Sequence, residues 1–109
     1  MKIAIIGSRS IKSIDLNEYV SNNDEIVSGG ARGIDTIAAE FARQRGIKLT
    51  EFLPEYEKYG KAAPIIRNKQ IVDYADKVIA FWDGKSKGTK HTVEYAEKIN
   101  KSCDIFIIQ

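Results

Sequence analysis

The chain has 109 residues, of which 43% are hydrophobic and 29% are charged, and its net charge is +2 at pH 7. This length suits one domain with a single core, and this balance excludes disordered, collagen-like and disulfide-rich chains. No apolar run approaches the roughly 18 to 20 residues of a membrane span. The first apolar run also stops at Gly7, short of a signal-peptide core. We therefore expect a cytoplasmic protein without a membrane partner.

Five short apolar runs, rich in Ile, Val and Phe, recur along the chain. They lack the strict alternation of apolar and polar residues, which is typical of strands buried on both faces of a parallel sheet. The sequence therefore predicts five strands, and these span Lys2 to Ile6, Glu25 to Ser28, Lys48 to Leu53, Lys77 to Trp82 and Asp104 to Ile108.

Helical patterns separate most of these runs. The first predicted helix runs from Ile34 to Ala42 and stops at Gly46, because its apolar residues recur with helical spacing and glycine is a common C-terminal stop. Pro64 is suited to open a second helix, which extends to Ala75. A third contains residues 93–99, and a shorter helix is expected from Asp15 to Val20.

Strands that alternate with helices predict a three-layer α/β domain over residues 1–109. Right-handed crossovers place helices on both faces of its parallel sheet, and the expected strand order is 3-2-1-4-5. The stretch from Pro54 to Ala63 is expected to be a covering loop.

Three loops after strands are rich in glycine and hydroxyl groups. They comprise residues 7–10, 28–35 and 83–89. In an open parallel sheet, ligands bind beyond the carboxyl ends of the strands, where these loops lie. Glycine lets the backbone approach a ligand, and the amide groups that open the next helix carry partial positive charge. The loops together predict a cradle for a phosphate group.

Side chains on the same loops fit this chemistry. Arg9 and Arg32 add full positive charges, and hydroxyl groups such as that of Ser10 can donate to an oxyanion. Asp35 and Asp83 can accept from ribose hydroxyl groups, although Asp35 can equally stabilise the first turn of its helix. The bland alternative is that the glycines only reverse the chain and the basic residues are only solvated. The predicted ligand-binding residues are Gly7, Ser8, Arg9, Ser28, Gly29, Gly30, Arg32, Gly33, Asp35, Arg67, Asn68, Asp83, Ser86, Gly88 and Thr89.

The standard nucleotide fingerprints are missing. The first strand is followed by Gly7-Ser8-Arg9 rather than G-x-G-x-x-G, and the glycine run at residues 29–33 lacks the ending of a P-loop. A nicotinamide cofactor is therefore disfavoured, and no other cofactor is expected. One Cys and one His cannot build a zinc cage within the chain, so we also expect no metal.

Several motifs resemble a known group of proteins, and these motifs are Gly7-Ser8-Arg9, Ser28 to Asp35, Tyr59 to Pro64 with Arg67-Asn68, Ala75-Asp76, and Ser86 to Thr89. They look like the small bacterial and phage members of the SLOG superfamily, which includes DNA-processing protein A (Smf) and the Lonely Guy phosphoribohydrolases. The resemblance runs from Ile3 to about Lys101. It implies a Rossmann-like fold, a pocket for a nucleotide or a nucleotide-derived ligand, and a homodimer.

The resemblance to the Lonely Guy enzymes, which cleave the bond between base and ribose phosphate, is less complete. Arg67 matches their phosphate-contacting Arg by its spacing to Asp76. Their glycine motif is soon followed by a catalytic Glu, whereas Glu94 lies two residues beyond the matching position. On a helix such an offset rotates a side chain by about 200°. Arg67 and Glu94 are therefore the catalytic candidates of an alternative only.

We expect this protein to bind a nucleotide or a nucleotide-derived small molecule. The alternatives are N-glycosidic hydrolysis of a nucleoside monophosphate and binding of single-stranded DNA. The low net charge and the lack of an added basic or aromatic platform disfavour nucleic acid. Arg67 is expected to lie off the buried stripe of its helix and to face the ligand, so that its replacement should barely change stability.

Overall fold

The computed structural model describes residues 1–30 and 33–108. Its strands are β1 (Lys2–Gly7), β2 (Glu25–Ser28), β3 (Lys48–Glu51), β4 (Lys77–Trp82) and β5 (Ser102–Ile107). They form one parallel sheet in the order β3-β2-β1-β4-β5. The predicted α/β class and the predicted strand order are confirmed.

The helices are α1 (Ile34–Arg45), α2 (Tyr56–Tyr59), α3 (Ala63–Tyr74) and α4 (Lys87–Lys98), and a 3-10 turn (Gly60–Ala62) joins α2 to α3. Helix α1 ends where the sequence predicts, because Gly46 adopts the left-handed conformation with φ 65° and ψ 29°. Helix α4 begins earlier than its apolar residues indicate. Ser86 caps it by accepting a hydrogen bond from the amide of Thr89 at 3.4 Å.

The sheet has a separate hydrophobic core on each face. Helix α1 packs on one face, where Ile34 and Ala38 meet Ile5 and Phe81 from the central strands. Helices α3 and α4 pack on the other face against β1, β2 and β4. Because the central strands are buried on both faces, their sequences are apolar throughout, as expected for a three-layer architecture.

The prediction of a helix from Asp15 to Val20 was wrong. This segment forms a turn, and Leu16 and Val20 are buried against the same core as α1. The carboxylate of Asp15 accepts hydrogen bonds from the amide and the side chain of Asn17 at 2.9 and 2.7 Å. Such local bonds satisfy the backbone outside a helix, so the segment covers the core without one.

The stretch from Pro54 to Ala63, expected to be a loop, contains α2 and the 3-10 turn. The amides of Lys58 and Tyr59 donate to the carbonyl oxygen of Glu55 at 3.1 and 3.0 Å. None of the residues of α2 is buried. Without a buried face the helix leaves no apolar stripe in the sequence, which is why periodicity did not indicate it.

Within the described residues, no helix has the length and apolar character that crossing a membrane requires.

In open parallel sheets, ligands bind beyond the carboxyl ends of the strands, at the point where neighbouring connections leave in opposite directions. From β1 the chain passes to β2 on one side, whereas β4 pairs with β1 on the other side. The strand order therefore reverses between β1 and β4, and the rule points to the carboxyl ends of these two strands.

Candidate functional site

A cavity of about 400 Å³ opens at the carboxyl ends of β1 and β4. Its volume lies within the range of sites for small molecules. The residues that line it come from the end of β1, from the loops after β1 and β4, and from helices α1, α3 and α4. They are Ile6, Gly7, Arg9, Ser10, Asp35, Pro64, Arg67, Asn68, Ile71, Asp83, Ser86, Gly88, Thr89 and Thr92.

Gly7 ends β1 at the base of the cavity. A methyl group added there would lie 2.5 Å from the carbonyl oxygen of Phe81 and 3.0 Å from the side chain of Ile34. Only glycine lets β1, β4 and α1 approach one another this closely. The tight packing carries the chain onward to Arg9, which is exposed and lines the cavity.

Asp83 organises the loop between β4 and α4. Its Oδ1 accepts hydrogen bonds from the amides of Lys85 and Ser86, both at 2.8 Å, and its Oδ2 accepts one from the hydroxyl of Ser10 at 2.8 Å. The two amide bonds, with help from the hydroxyl bond, hold the pKa of Asp83 well below its ordinary value. Asp83 is therefore a fixed negative charge that joins this loop to the loop after β1.

Ser8 also connects the loop after β1 to the loop after β4. Its side chain is 1% exposed, and its hydroxyl oxygen accepts a hydrogen bond from the amide of Asp83 at 3.0 Å. Ser8 is not among the residues that line the cavity. Its place in the structure is that of a link between two loops rather than of a group facing a ligand.

The amino end of α4 forms one wall of the cavity. Ser86 caps the amide of Thr89 and accepts from its hydroxyl at 3.2 Å. Within the described part of the chain, the amides of Lys87 and Gly88 have no hydrogen-bond acceptor. These amides carry the partial positive charge of the helix end, and they remain available to an anion.

Arg67 is buried, so the expectation that it lies off the buried stripe of its helix was wrong. It is 8% exposed; its Nη1 donates to the carbonyl oxygen of Gly29 at 2.7 Å, and its Nε donates to Oδ1 of Asn68 at 2.8 Å. Burial lowers its pKa, although the nearby Asp35 carboxylate opposes that change. The prediction from helical periodicity considered only apolar side chains. It therefore did not indicate that a guanidinium is buried by its hydrogen bond to the backbone of another loop.

Gly29 makes room for this guanidinium. A methyl group added at Gly29 would lie 2.7 Å from Nη1 of Arg67 and 3.1 Å from Oδ2 of Asp35. Gly30 and Gly33 adopt positive φ angles of 68° and 75°, which other residues rarely adopt. Of these glycines, Gly29 lies against Arg67, whereas Gly33 lies against the backbone of Arg9, and none of the three is among the residues that line the cavity.

The structure brings together most of the predicted binding residues. Those that line the cavity are Gly7, Arg9, Asp35, Arg67, Asn68, Asp83, Ser86, Gly88 and Thr89. Those that lie outside its lining are Ser8, Ser28, Gly29, Gly30 and Gly33. Arg32 is outside the described residues.

The sequence analysis missed several lining residues. Pro64 and Ile71 from α3 give the cavity apolar surface, as does Ile6 at the end of β1. Thr92 lies one helical turn after Thr89 and donates to the carbonyl oxygen of Gly88 at 2.9 Å. Helical spacing could have indicated Thr92, because residues three apart on a helix share a face.

Glu94 lies apart from these residues. It is exposed on α4 and is not among the residues that line the cavity. Within the described residues there is also no group of three or more His, Cys, Asp or Glu side chains able to hold a metal ion. The acidic groups that do line the cavity are Asp35 and Asp83.

A five-stranded parallel sheet of this order, with a polar cavity at its switch point, defines a Rossmann-like domain. The chain belongs to the YspA, cpYpsA-related SLOG family (YAcAr), whose model matches residues 1–59. The resemblance seen in the sequence motifs is thereby confirmed.

Two known proteins are similar to this chain. The Gene 61 protein of Mycobacterium phage D29 is 42% identical over 79 residues, which are 67% of this chain and 63% of the phage protein. A structure of DNA processing protein A from Helicobacter pylori, described for its binding of single-stranded DNA, superposes with a TM-score of 0.76 at 23% identity. That match covers 100% of this chain and 66% of the other. The chain thus spans less than two thirds of each protein, and the second likeness shows the fold.

Proposed function

We propose that this protein binds a nucleotide or a nucleotide-derived molecule in the cavity at the carboxyl ends of β1 and β4. The observation that carries the proposal is that one cavity joins free amides at the start of α4 to two arginines and two aspartates, Arg9, Arg67, Asp35 and Asp83. Amides and guanidinium groups bind phosphate, whereas carboxylates accept from ribose hydroxyl groups.

The parts of a nucleotide match different walls of the cavity. A phosphate fits the amides near Gly88 together with the exposed Arg9, since both supply positive charge that water still reaches. The apolar surface of Pro64 and Ile71 suits a sugar or a base. Arg67 lines the same cavity and donates to Gly29 and Asn68, so its guanidinium is held in a fixed position there.

Hydrolysis is supported less well than binding. Glu94, the acid that the Lonely Guy resemblance suggests, is exposed and outside the cavity lining. Asp83 already accepts three hydrogen bonds, and its lowered pKa makes it a poor general base. Single-stranded DNA remains the nucleic-acid alternative, and it offers the same phosphate chemistry to the same wall.

A thermal-shift panel tests the proposal. A nucleoside monophosphate should raise the melting temperature while its nucleoside does not, because the phosphate supplies the charge that the cavity matches. A ligand at a hundredfold excess over its Kd stabilises the native state by about 2.7 kcal/mol. Equal shifts from adenosine and adenosine monophosphate, or no shift from any nucleotide, would contradict the proposal.

Two arginine variants make the panel specific. Arg9→Ala should reduce the nucleotide-dependent shift, because Arg9 lines the cavity and is exposed. Arg43→Ala is the matched control. Arg43 is exposed in the last turn of α1, and its replacement removes the same charge as Arg9→Ala. A nucleotide-dependent shift that falls equally in both variants would point to general electrostatics rather than to this cavity.

We also propose that this domain is cytoplasmic and that it pairs as a homodimer, the pairing being what the family resemblance implies. Sedimentation equilibrium of the purified chain tests the pairing. A monomeric mass at all concentrations, with and without nucleotide, would contradict it.

A further inference from the structure

A second cavity adjoins the candidate site. It has a volume of about 780 Å³ and is lined by Ser10, Ile11, Lys12, Ser13, Asp83, Lys85 and Ile108. Ser10 and Asp83 line both cavities. The hydrogen bond between the hydroxyl of Ser10 and Oδ2 of Asp83, at 2.8 Å, is therefore part of the boundary that the two cavities share.

The two cavities differ in their charge. Among the described residues that line the first cavity, there are two arginines, Arg9 and Arg67, and two aspartates, Asp35 and Asp83, so the charges of these four side chains balance. A phosphate monoester carries a charge of about −1.5 to −2 at pH 7, which exceeds what the free amides at the start of α4 can match. A phosphate esterified on both sides carries a single negative charge, and it fits that environment better.

The second cavity has room and chemistry for another part of such a ligand. Ile11, which is 5% exposed, and the partly buried Ile108 give it apolar surface. Lys12 and Lys85 are exposed at its edge and outnumber the one carboxylate there, that of Asp83. An apolar floor beside two ammonium groups suits a second ring with a neighbouring phosphate.

We infer that the ligand is a two-part nucleotide whose phosphate is esterified on both sides, with the second part in the cavity bordered by Lys12 and Lys85. The inference rests on the proposed function and specifies its ligand class. The phosphate lies near the junction of the two cavities, on the side of Arg9 and the amides at the start of α4, as in the proposed function. We favour a compact ligand over a long strand, because the chain has a net charge of only +2.

Calorimetric titration with matched ligands tests the inference. The nucleoside 5′-monophosphate that binds best is compared with its methyl phosphate ester and with the corresponding dinucleoside monophosphate. The methyl ester should bind at least as tightly as the monoester, and the dinucleoside monophosphate should bind about tenfold more tightly or better. A monoester that binds more tightly than both diesters would overturn the inference while leaving the proposed function intact.

A double variant localises the second part of the ligand. Lys12→Ala with Lys85→Ala should remove the gain of the dinucleoside monophosphate. Monoester binding should change by less than about twofold, because Lys12 and Lys85 line only the second cavity and exposed substitutions leave the fold intact. The matched control is Lys90→Ala with Lys98→Ala, two exposed lysines of α4 outside both cavities. A gain that survives in the first double variant would overturn the inference.

An octanucleotide separates the two sources of a phosphodiester. Affinity per strand that equals that of the dinucleoside monophosphate supports a compact ligand. Affinity that rises steadily with length and collapses with salt would overturn the compact ligand and favour single-stranded nucleic acid. Failure of every nucleotide to bind would instead overturn the proposed function. The titration with the monoester tests that function separately from the inference about the second cavity.

Discussion

The two ends of the sheet use carboxylates in contrasting ways. At the amino end, Oε2 of Glu25 accepts hydrogen bonds from the hydroxyls of Tyr74 and Thr50 at 2.6 and 2.7 Å, and Oε1 lies 3.4 Å from the ammonium of Lys48. At the carboxyl end, Asp83 accepts mainly from backbone amides of its own loop. Side chains from neighbouring elements surround the first carboxylate, whereas the second shapes a loop.

This difference separates a closed polar cluster from an open one. Around Glu25, each partner comes from an adjacent strand or helix, and the cluster joins β2, β3 and α3. Around Asp83, the hydrogen bonds join the loops after β1 and β4, and the cavity lies beside this junction. Polar groups at the amino end therefore serve stability, while those at the carboxyl end keep donors available for a ligand. The following predictions test this contrast.

Arg67→Ala should have the largest effect on stability, because Arg67 makes a buried hydrogen bond and also lines the cavity. We expect a loss of about 2 to 4 kcal/mol in unfolding free energy, since the buried hydrogen bond to Gly29 is lost and Asp35 loses a neighbouring positive charge. Urea denaturation measures this loss. Arg67→Lys should recover little of it, because one ammonium cannot replace both guanidinium contacts. A loss below about 0.5 kcal/mol would show that the guanidinium is solvated.

Gly7→Ala should cost about 1 to 3 kcal/mol, because the added methyl group meets the backbone of Phe81 and cannot be accommodated by a side-chain rotation. Gly88→Ala is the matched control. A methyl group at Gly88 meets open space, and alanine is the better helix former, so stability should stay equal or rise by up to about 1 kcal/mol. Thermal denaturation compares the two variants, and equal effects would contradict the packing argument.

Tyr74→Phe should cost about 1 to 2 kcal/mol at neutral pH, because it removes the hydrogen bond to Glu25 and keeps the ring. That bond is the main reason why the pKa of Glu25 lies below its ordinary value near 4.5. A lowered folded-state pKa gives stability that is present above the unfolded-state pKa and disappears as the pH falls through the folded-state value. The difference between wild type and variant should therefore shrink below about pH 4.5. A difference independent of pH would contradict this account.

Ser28→Ala should have the smallest effect. The hydroxyl of Ser28 is fully buried and has no hydrogen-bond partner within the described residues. Its removal should leave the unfolding free energy unchanged or raise it by up to about 1 kcal/mol. Ser8→Ala is the contrasting variant, because the hydroxyl of Ser8 accepts from the amide of Asp83 and its loss should cost about 1 kcal/mol. A clear loss of stability in Ser28→Ala would show that this hydroxyl has a partner.

The apolar runs predicted the central strands β1, β2 and β4 well, because burial on both faces leaves a direct mark on composition. The edge strands β3 and β5 were expected to be buried on both faces too, but their residues are exposed or half-buried. Strand β3 is shorter than predicted and ends at Glu51. The following amide of Phe52 still bonds to the carbonyl oxygen of Ser28, but Pro54 cannot donate to a ladder. The segment from Asp15 to Val20 has apolar residues too, and their spacing does not distinguish a helix from a turn that covers the core.

For the site, the sequence indicated the loops better than the roles of individual residues. Gly7, Gly29 and Ser8 were all predicted to bind a ligand. In the structure, Gly7 lines the cavity, whereas Gly29 makes room for Arg67 and Ser8 joins two loops. These roles depend on contacts between loops that are distant in the sequence. A motif shows which residue is present, but it does not show which of its neighbours occupies the space beside it.

The sequence by itself determined the α/β class, the five strands and the edge of the sheet where glycine-rich loops gather. These features follow from local composition and from the rule that parallel strands end together at one edge. Only the tertiary structure decided that Arg67 is buried against Gly29, that Asp83 is held by two loops, and that Glu94 lies outside the cavity lining. The physical reason is that burial and hydrogen bonding of a polar side chain depend on packing between distant segments, which no local pattern encodes.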